Sequence, residues 1–114
     1  MEKKNIKVIG DIMLDKWIYG KYEKNSAEGK LKVFEEIKTE LSLGGVGFLC
    51  SNLKNLNVKF KLYCGLSKDF YGKKTNEFLK KKKILFVNTE EEKKTIIKKR
   101  FFNIDRQLFR SDKE

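Results

Sequence analysis

The chain has 114 residues, no His, two Cys, and a formal charge of +11 from 27 Lys and Arg against 16 Asp and Glu. That length allows one domain with a modest core, and the lack of His excludes Ser-His-Asp and Cys-His catalysis and imidazole metal sites. No apolar run approaches the ~18 residues of a membrane span, and the N-terminus lacks the ~7–15-residue apolar stretch of a signal peptide, so a cytoplasmic protein with no membrane partner is expected.

Asn5 to Ile9 is a short β-type run closed by Gly10. Asp11 to Tyr22 follows, acidic and rich in Trp17, Ile18, Tyr19 and Tyr22, which suits a strand better than a helix. Asn25 to Gly29 reads as a turn. Leu31 to Leu41 carries Leu31, Val33, Ile37 and Leu41 among charges and reads as an exposed strand. Ser42 to Gly47 is the one Gly-rich loop. Behind it Val46, Leu49, Cys50, Leu53 and Leu56 make one helical stripe, with Asn57 as its C-cap.

Val58, Phe60, Leu62 and Cys64 alternate with polar residues and Tyr63, as in a half-buried strand. Ser67 or Asp69 can cap a second helix, with Tyr71, Thr75, Phe78 and Leu79 on its apolar face. Lys80 to Lys83 ends that helix, where cations oppose the negative end of the dipole. Ile84 to Val87 is a short strand, Asn88 to Lys94 a loop, and Thr95 to Asn103 with Gln107 to Arg110 a hairpin across Ile104-Asp105-Arg106. The order is α/β alternation with a β excursion. No helix follows to cover the second face of such a sheet, so a partial domain, or one completed by association, is expected.

The charge is made of 24 Lys and only three Arg, with the Lys spread along the chain beside many Asn, Ile and Phe and no Pro. That pattern fits compositional drift better than a selected phosphate-binding face, and no specific nucleic-acid partner is expected. Cys50 and Cys64 cannot form a four-ligand zinc site. A disulfide between them is formally open, but two reduced, buried thiols are expected.

Three segments carry chemistry. Asp11 and Asp15, after the first strand, can accept hydrogen bonds from sugar hydroxyls or hold a metal, or form a solvated turn. Gly44 and Gly45, opening a helix, let backbone approach a ligand, or make a tight structural turn. Neither a Walker A loop nor the full dinucleotide fingerprint is present. Lys98, Lys99, Arg100, Arg106 and Arg110 among Phe101, Phe102 and Phe109 can meet nucleic acid, a phosphate, or solvent.

Gly-Asp-Ile-Met-Leu-Asp-Lys-Trp at 10–17, Tyr19-Gly20, Gly44-Gly45, Thr95-Ile-Ile-Lys98-Lys-Arg100 and Gln107-Leu-Phe-Arg110-Ser-Asp112 together resemble the ribokinase-like (PfkB) carbohydrate kinases. The resemblance runs over about residues 6–112 and is nearest to the heptose-7-phosphate kinase group. It implies an α/β fold: the N-terminal part of a ribokinase-like doubly wound sheet with a β-strand lid, residues 1–114 forming one partial domain with lid strands at about 16–41 and 95–110. It implies ATP-dependent phosphorylation of a sugar or sugar phosphate. Asp11 and Asp15 would bind sugar hydroxyls, Gly44 and Gly45 would lie against the sugar, and Lys98, Arg100 and Arg110 would hold its existing phosphate. A homodimer through lid strands is also implied.

ATP and Mg2+ would serve the complete kinase, with no metal site and no cofactor bound to this segment. The family's general base and anion-hole motif would lie beyond Glu114, so the segment alone is expected to be inactive. Phe48 stands where the family's Gly-Gly-x-x-Asn motif has its sugar-binding Asn. The alternative reading is a degenerate kinase-like binding or interaction module without catalysis.

Overall fold

The computed structural model describes residues 6–25, 32–89, 94–103 and 106–113. Strand β1 (Ile6–Ile9) pairs in parallel with β4 (Phe60–Cys64), and β4 in parallel with β5 (Phe86–Asn88). Parallel neighbours need long crossovers. Helix α2 (Phe70–Lys81) provides one between β4 and β5. Between β1 and β4 the chain makes two long antiparallel strands, β2 (Ile12–Asn25) and β3 (Lys32–Gly45), before helix α1 (Val46–Asn55). Strand β6 (Ile96–Asn103) then joins β2 in parallel, and β7 (Arg106–Lys113) pairs antiparallel with β6. The result is a three-stranded sheet, β1-β4-β5, and a four-stranded sheet, β3-β2-β6-β7. This is the mixed α/β fold expected.

Side chains alternate across a strand, so the in-register residues Val8, Leu62 and Phe86 share one face of the parallel sheet. That face carries the core, where Leu62 and Cys64 meet Cys50 of α1 and Leu79 of α2. Ile12, Leu14 and Leu43 extend the same core into the four-stranded sheet. Both helices therefore cover one face. On the other, Ile9, Tyr63 and Val87 lie in register, and Ile9 is 76% exposed. Cys50 and Cys64 are free and buried. No helix among the described residues is long and apolar enough to cross a membrane.

Several boundaries differ from expectation for local reasons. Ser42 to Gly45 is not loop but the end of β3, paired with Asp15 to Ile12. Leu43 turns into the core and is 5% exposed, which holds the segment in the ladder. The turn into α1 comes at Gly45, at φ 58 and ψ −134, a conformation open to Gly alone. The α1 stripe is only half covered: Cys50 is buried, but Leu49 and Leu56 are exposed. Leu56 is the C-cap, and Asn57 follows it at φ 58. Asp69 caps α2, accepting from the Gly72 amide at 2.7 Å. Strand β4 begins at Phe60 rather than Val58, and β5 at Phe86 rather than Ile84. The turn expected at Asn25 to Gly29, the hairpin tip at Ile104-Asp105 and the acidic part of the 88–94 loop fall largely outside the described residues.

Candidate functional site

Pairing register sorts the four-stranded sheet into two faces. Asp15 stands beside Ser42 of β3 and Lys98 of β6, and Trp17 beside Arg100. Arg100 stands beside Arg110 of β7, and Lys98 beside Asp112. Residues in register share a face, so Asp15, Trp17, Lys98, Arg100, Arg110 and Asp112 form one two-dimensional cluster. Gly44, opposite Met13, belongs to the same face.

Contacts within the cluster are uneven. Arg110 Nε lies 3.0 Å from Asp112 Oδ1, a close ion pair. Lys98 Nζ is 3.9 Å from Asp112 Oδ2, and Arg100 Nη2 is 3.9 Å from Asp15 Oδ1. Those last two separations exceed hydrogen-bond length, so attraction is present while the donors remain open to another oxygen. Arg100 Nε is buried and has no hydrogen-bond partner. An unmet buried donor costs free energy until an acceptor arrives. The Arg100 guanidinium lies 5.3 Å from the Trp17 ring centroid, in cation–π range. The Trp17 indole N–H donates to Ser42 Oγ at 2.8 Å, which fixes the ring. Phe102 stacks on both Trp17 and Tyr19, at 5.7 and 5.3 Å between centroids.

The glycines sit at the edge of this cluster. A Cβ on Gly44 would lie 2.9 Å from Asp15 Oδ2, so its absence makes room for the carboxylate above the strand. A Cβ on Gly45 would lie 2.8 Å from the Asp11 carbonyl. That carbonyl accepts from the Val46 amide at 3.3 Å, joining the end of β1 to the start of α1. Among the described residues no side-chain contact ties the Asp11 carboxylate to the cluster; it is exposed. The structure thus brings together Asp15, Gly44, Lys98, Arg100 and Arg110, with Gly45 at the border and Asp11 apart.

Trp17, Ser42 and Asp112 were not among the candidates read from sequence. Alternation along β2 could have found Trp17, two residues from Asp15 on the same face. Ser42 and Asp112 needed the cross-strand register.

As an assembly, three cations, two carboxylates, an indole plate and a close-packed Gly backbone can grip a ligand with an anionic end and a hydroxyl-rich end. Planar guanidinium groups suit phosphate oxygens.

No protein-family model matches the chain. The bifunctional protein HldE of Helicobacter pylori is 34% identical over 113 residues, covering 97% of this chain and 24% of that protein. The bifunctional protein HldE of Aliarcobacter butzleri is 31% identical over 115 residues, covering 99% and 24%. The match is to the N-terminal region of these proteins, and the chain spans about a quarter of their length. A carbohydrate kinase from Agrobacterium tumefaciens superposes with a TM-score of 0.72 at 18% identity, covering 97% of this chain and 36% of that one. Phosphofructokinase-2 from Escherichia coli in complex with fructose-6-phosphate superposes at 0.71 with 14% identity, covering 93% and 34%. These structures share the fold.

Proposed function

We propose that this chain, which has the ribokinase-like carbohydrate-kinase fold and is similar to the N-terminal region of HldE, forms the sugar-phosphate-binding part of an ATP-dependent kinase, with heptose 7-phosphate as substrate. The observation that carries this reading is the convergence of Lys98, Arg100 and Arg110 with Asp15 and Gly44 on one sheet face. The phosphate already on the sugar lies against Arg100 and Arg110, where it meets the unpartnered Nε. Lys98 adds charge. Asp15 accepts from sugar hydroxyls, and Gly44 lets the sugar approach the backbone. The paired strands β2–β3 and β6–β7 act as a lid over the bound sugar.

Transfer itself calls on more than this cluster. ATP and Mg2+ serve the complete kinase, where Mg2+ is held by one or two carboxylates together with the nucleotide's own phosphates. We infer that residues 1–114 alone bind sugar phosphate without phosphorylating it. Val33, Ile37 and Phe109 are exposed, and Phe109 stacks on Phe101, which supports pairing of two copies through the lid strands. We place the protein in the cytoplasm, where ATP is available, with no specific nucleic-acid partner.

A second reading, a binding or interaction module with no kinase role, draws on one observation. Phe48 at the start of α1 is 61% exposed and offers no hydrogen bond to a sugar.

Calorimetry with heptose 7-phosphate and unphosphorylated heptose tests the proposal. The phosphorylated sugar is expected to bind at least tenfold tighter, and Arg100→Ala to remove most of that difference, since a hydrogen bond to a charged group contributes about 1.5–3 kcal/mol. Equal affinity for the two sugars would defeat the phosphate role.

A further inference from the structure

Strand β6 carries two of the three cations, yet no hairpin ties it to its parallel neighbour β2. Register between parallel strands rests on side-chain packing and on whatever fixes the foot of each strand, and a one-residue slip turns every side chain to the other face. A slip here would carry Lys98 and Arg100 away from Asp15.

The foot of β6 is Thr95, and it is tied to the start of α2. A helix N-cap needs one bond, and Asp69 Oδ1 provides it to the Gly72 amide at 2.7 Å. The same carboxylate also accepts from the Ser67 hydroxyl at 2.6 Å, the Thr95 hydroxyl at 2.8 Å and the Thr95 amide at 3.3 Å. The Ser67 and Thr95 hydroxyls touch each other. Gly72 is buried, and a Cβ there would collide with the Ser67 carbonyl, so the helix start sits flush against this knot. One residue earlier, Tyr71 accepts from Lys16 Nζ of β2 at 3.2 Å. Both parallel strands are thus moored to the first turn of one helix.

We infer that Asp69, acting through Thr95, is a positioning residue that fixes β6 in the register placing Lys98 beside Asp15 and Arg100 over Trp17. Asp69 lies outside the cluster, since Thr95 is about 10 Å along the strand from Lys98 at ~3.3 Å per residue. Its effect on ligand affinity rests on the phosphate-binding reading above; its effect on strand register does not.

The test uses the full chain, 15N NMR and inorganic phosphate as the probe. Thr95→Val removes the hydroxyl and leaves the α2 cap in place. It is expected to move the Asp15, Lys98 and Arg100 amide signals while Leu62 and Phe86 stay. Phosphate affinity is expected to fall roughly three- to tenfold, the loss of one or two hydrogen-bond equivalents. Thr95→Ser keeps the hydroxyl and restores both readouts. In an Arg100→Ala background Thr95→Val should cost no further affinity.

Unmoved Lys98 and Arg100 signals would overturn the inference, and so would an equal affinity loss in the Arg100→Ala background. Either would reduce Asp69 to an ordinary helix cap. If the unaltered chain shows no saturable response to phosphate, the phosphate reading fails, and the amide shifts alone decide the role of Asp69.

Discussion

Phe48 is the third residue of α1, and most of its ring faces solvent. Replacing it removes little buried area, and Phe and Asn have similar helix propensities. Phe48→Asn is therefore expected to change stability by less than ~1 kcal/mol, and to tighten sugar binding by supplying a donor and acceptor beside Gly44. Thermal melts with calorimetry check this; a large fall in melting temperature with no gain in binding would contradict it. Asp69 gives a second residue-scale outcome. Desolvation would raise its carboxyl, but hydrogen bonds from Ser67, the Gly72 amide and Thr95 outweigh it and lower the pKa from 3.8 to about 2. A carboxyl depressed in the folded state stabilises fully above its ordinary value and loses that contribution as pH falls towards the folded one. Acid unfolding followed by circular dichroism should show stability falling between those two values, and Asp69→Asn should flatten that part of the curve. At this scale the motifs already pointed to Asp15, Lys98, Arg100 and Arg110. Sequence could not say that Arg100 sits over Trp17, because the two are brought together only by strand register. Asp11 shared the same motif, but its carboxylate stayed in solvent because the chain enters β2 one residue later.

Among the elements, strands with a clear two-residue alternation were legible. Phe60 to Cys64 lies where alternation placed it, with Leu62 and Cys64 buried. Helix α2 was legible too, because its cap, its buried Thr75 and Leu79 and its terminal Lys residues agree. The Gly-rich segment misled because glycine marks turns in sequence, whereas here Gly44 serves a ladder position under Asp15. The turn is confined to Gly45. Gly45→Ala is expected to destabilise the protein by on the order of 1–3 kcal/mol, from backbone strain at φ 58 and a close approach to the Asp11 carbonyl. Gly44→Ala meets side-chain atoms of Asp15 and Met13 instead of backbone, so it should cost less stability but displace the Asp15 carboxylate. Chemical denaturation of both variants measures the contrast, and equal losses would show that the turn at Gly45 carries no special strain. The α1 stripe shows a different limit: periodicity identified the helix face, but Leu49 and Leu56 on it remain exposed.

At the scale of the whole molecule, the four-stranded sheet gives the chain extents of 67 × 30 × 19 Å and a radius of gyration of 17.7 Å. A globule of this length would have about 13 Å. Opposite the core face of the parallel sheet, Ile9 is exposed and Tyr63 half-buried. Composition bounded the chemistry, but it could not place the three cations of the cluster together among 27 basic residues. The central claim is that this cluster, and not the general positive charge, receives a sugar phosphate. Titrating the 15N-labelled chain with heptose 7-phosphate and following its amide and Arg side-chain signals tests it directly. The account predicts saturable shifts concentrated at Asp15, Trp17, Gly44, Lys98, Arg100 and Arg110, with the Arg100 Nε signal moving most. Shifts that spread over surface lysines such as Lys54, Lys59 and Lys83, or that fail to saturate, would contradict it.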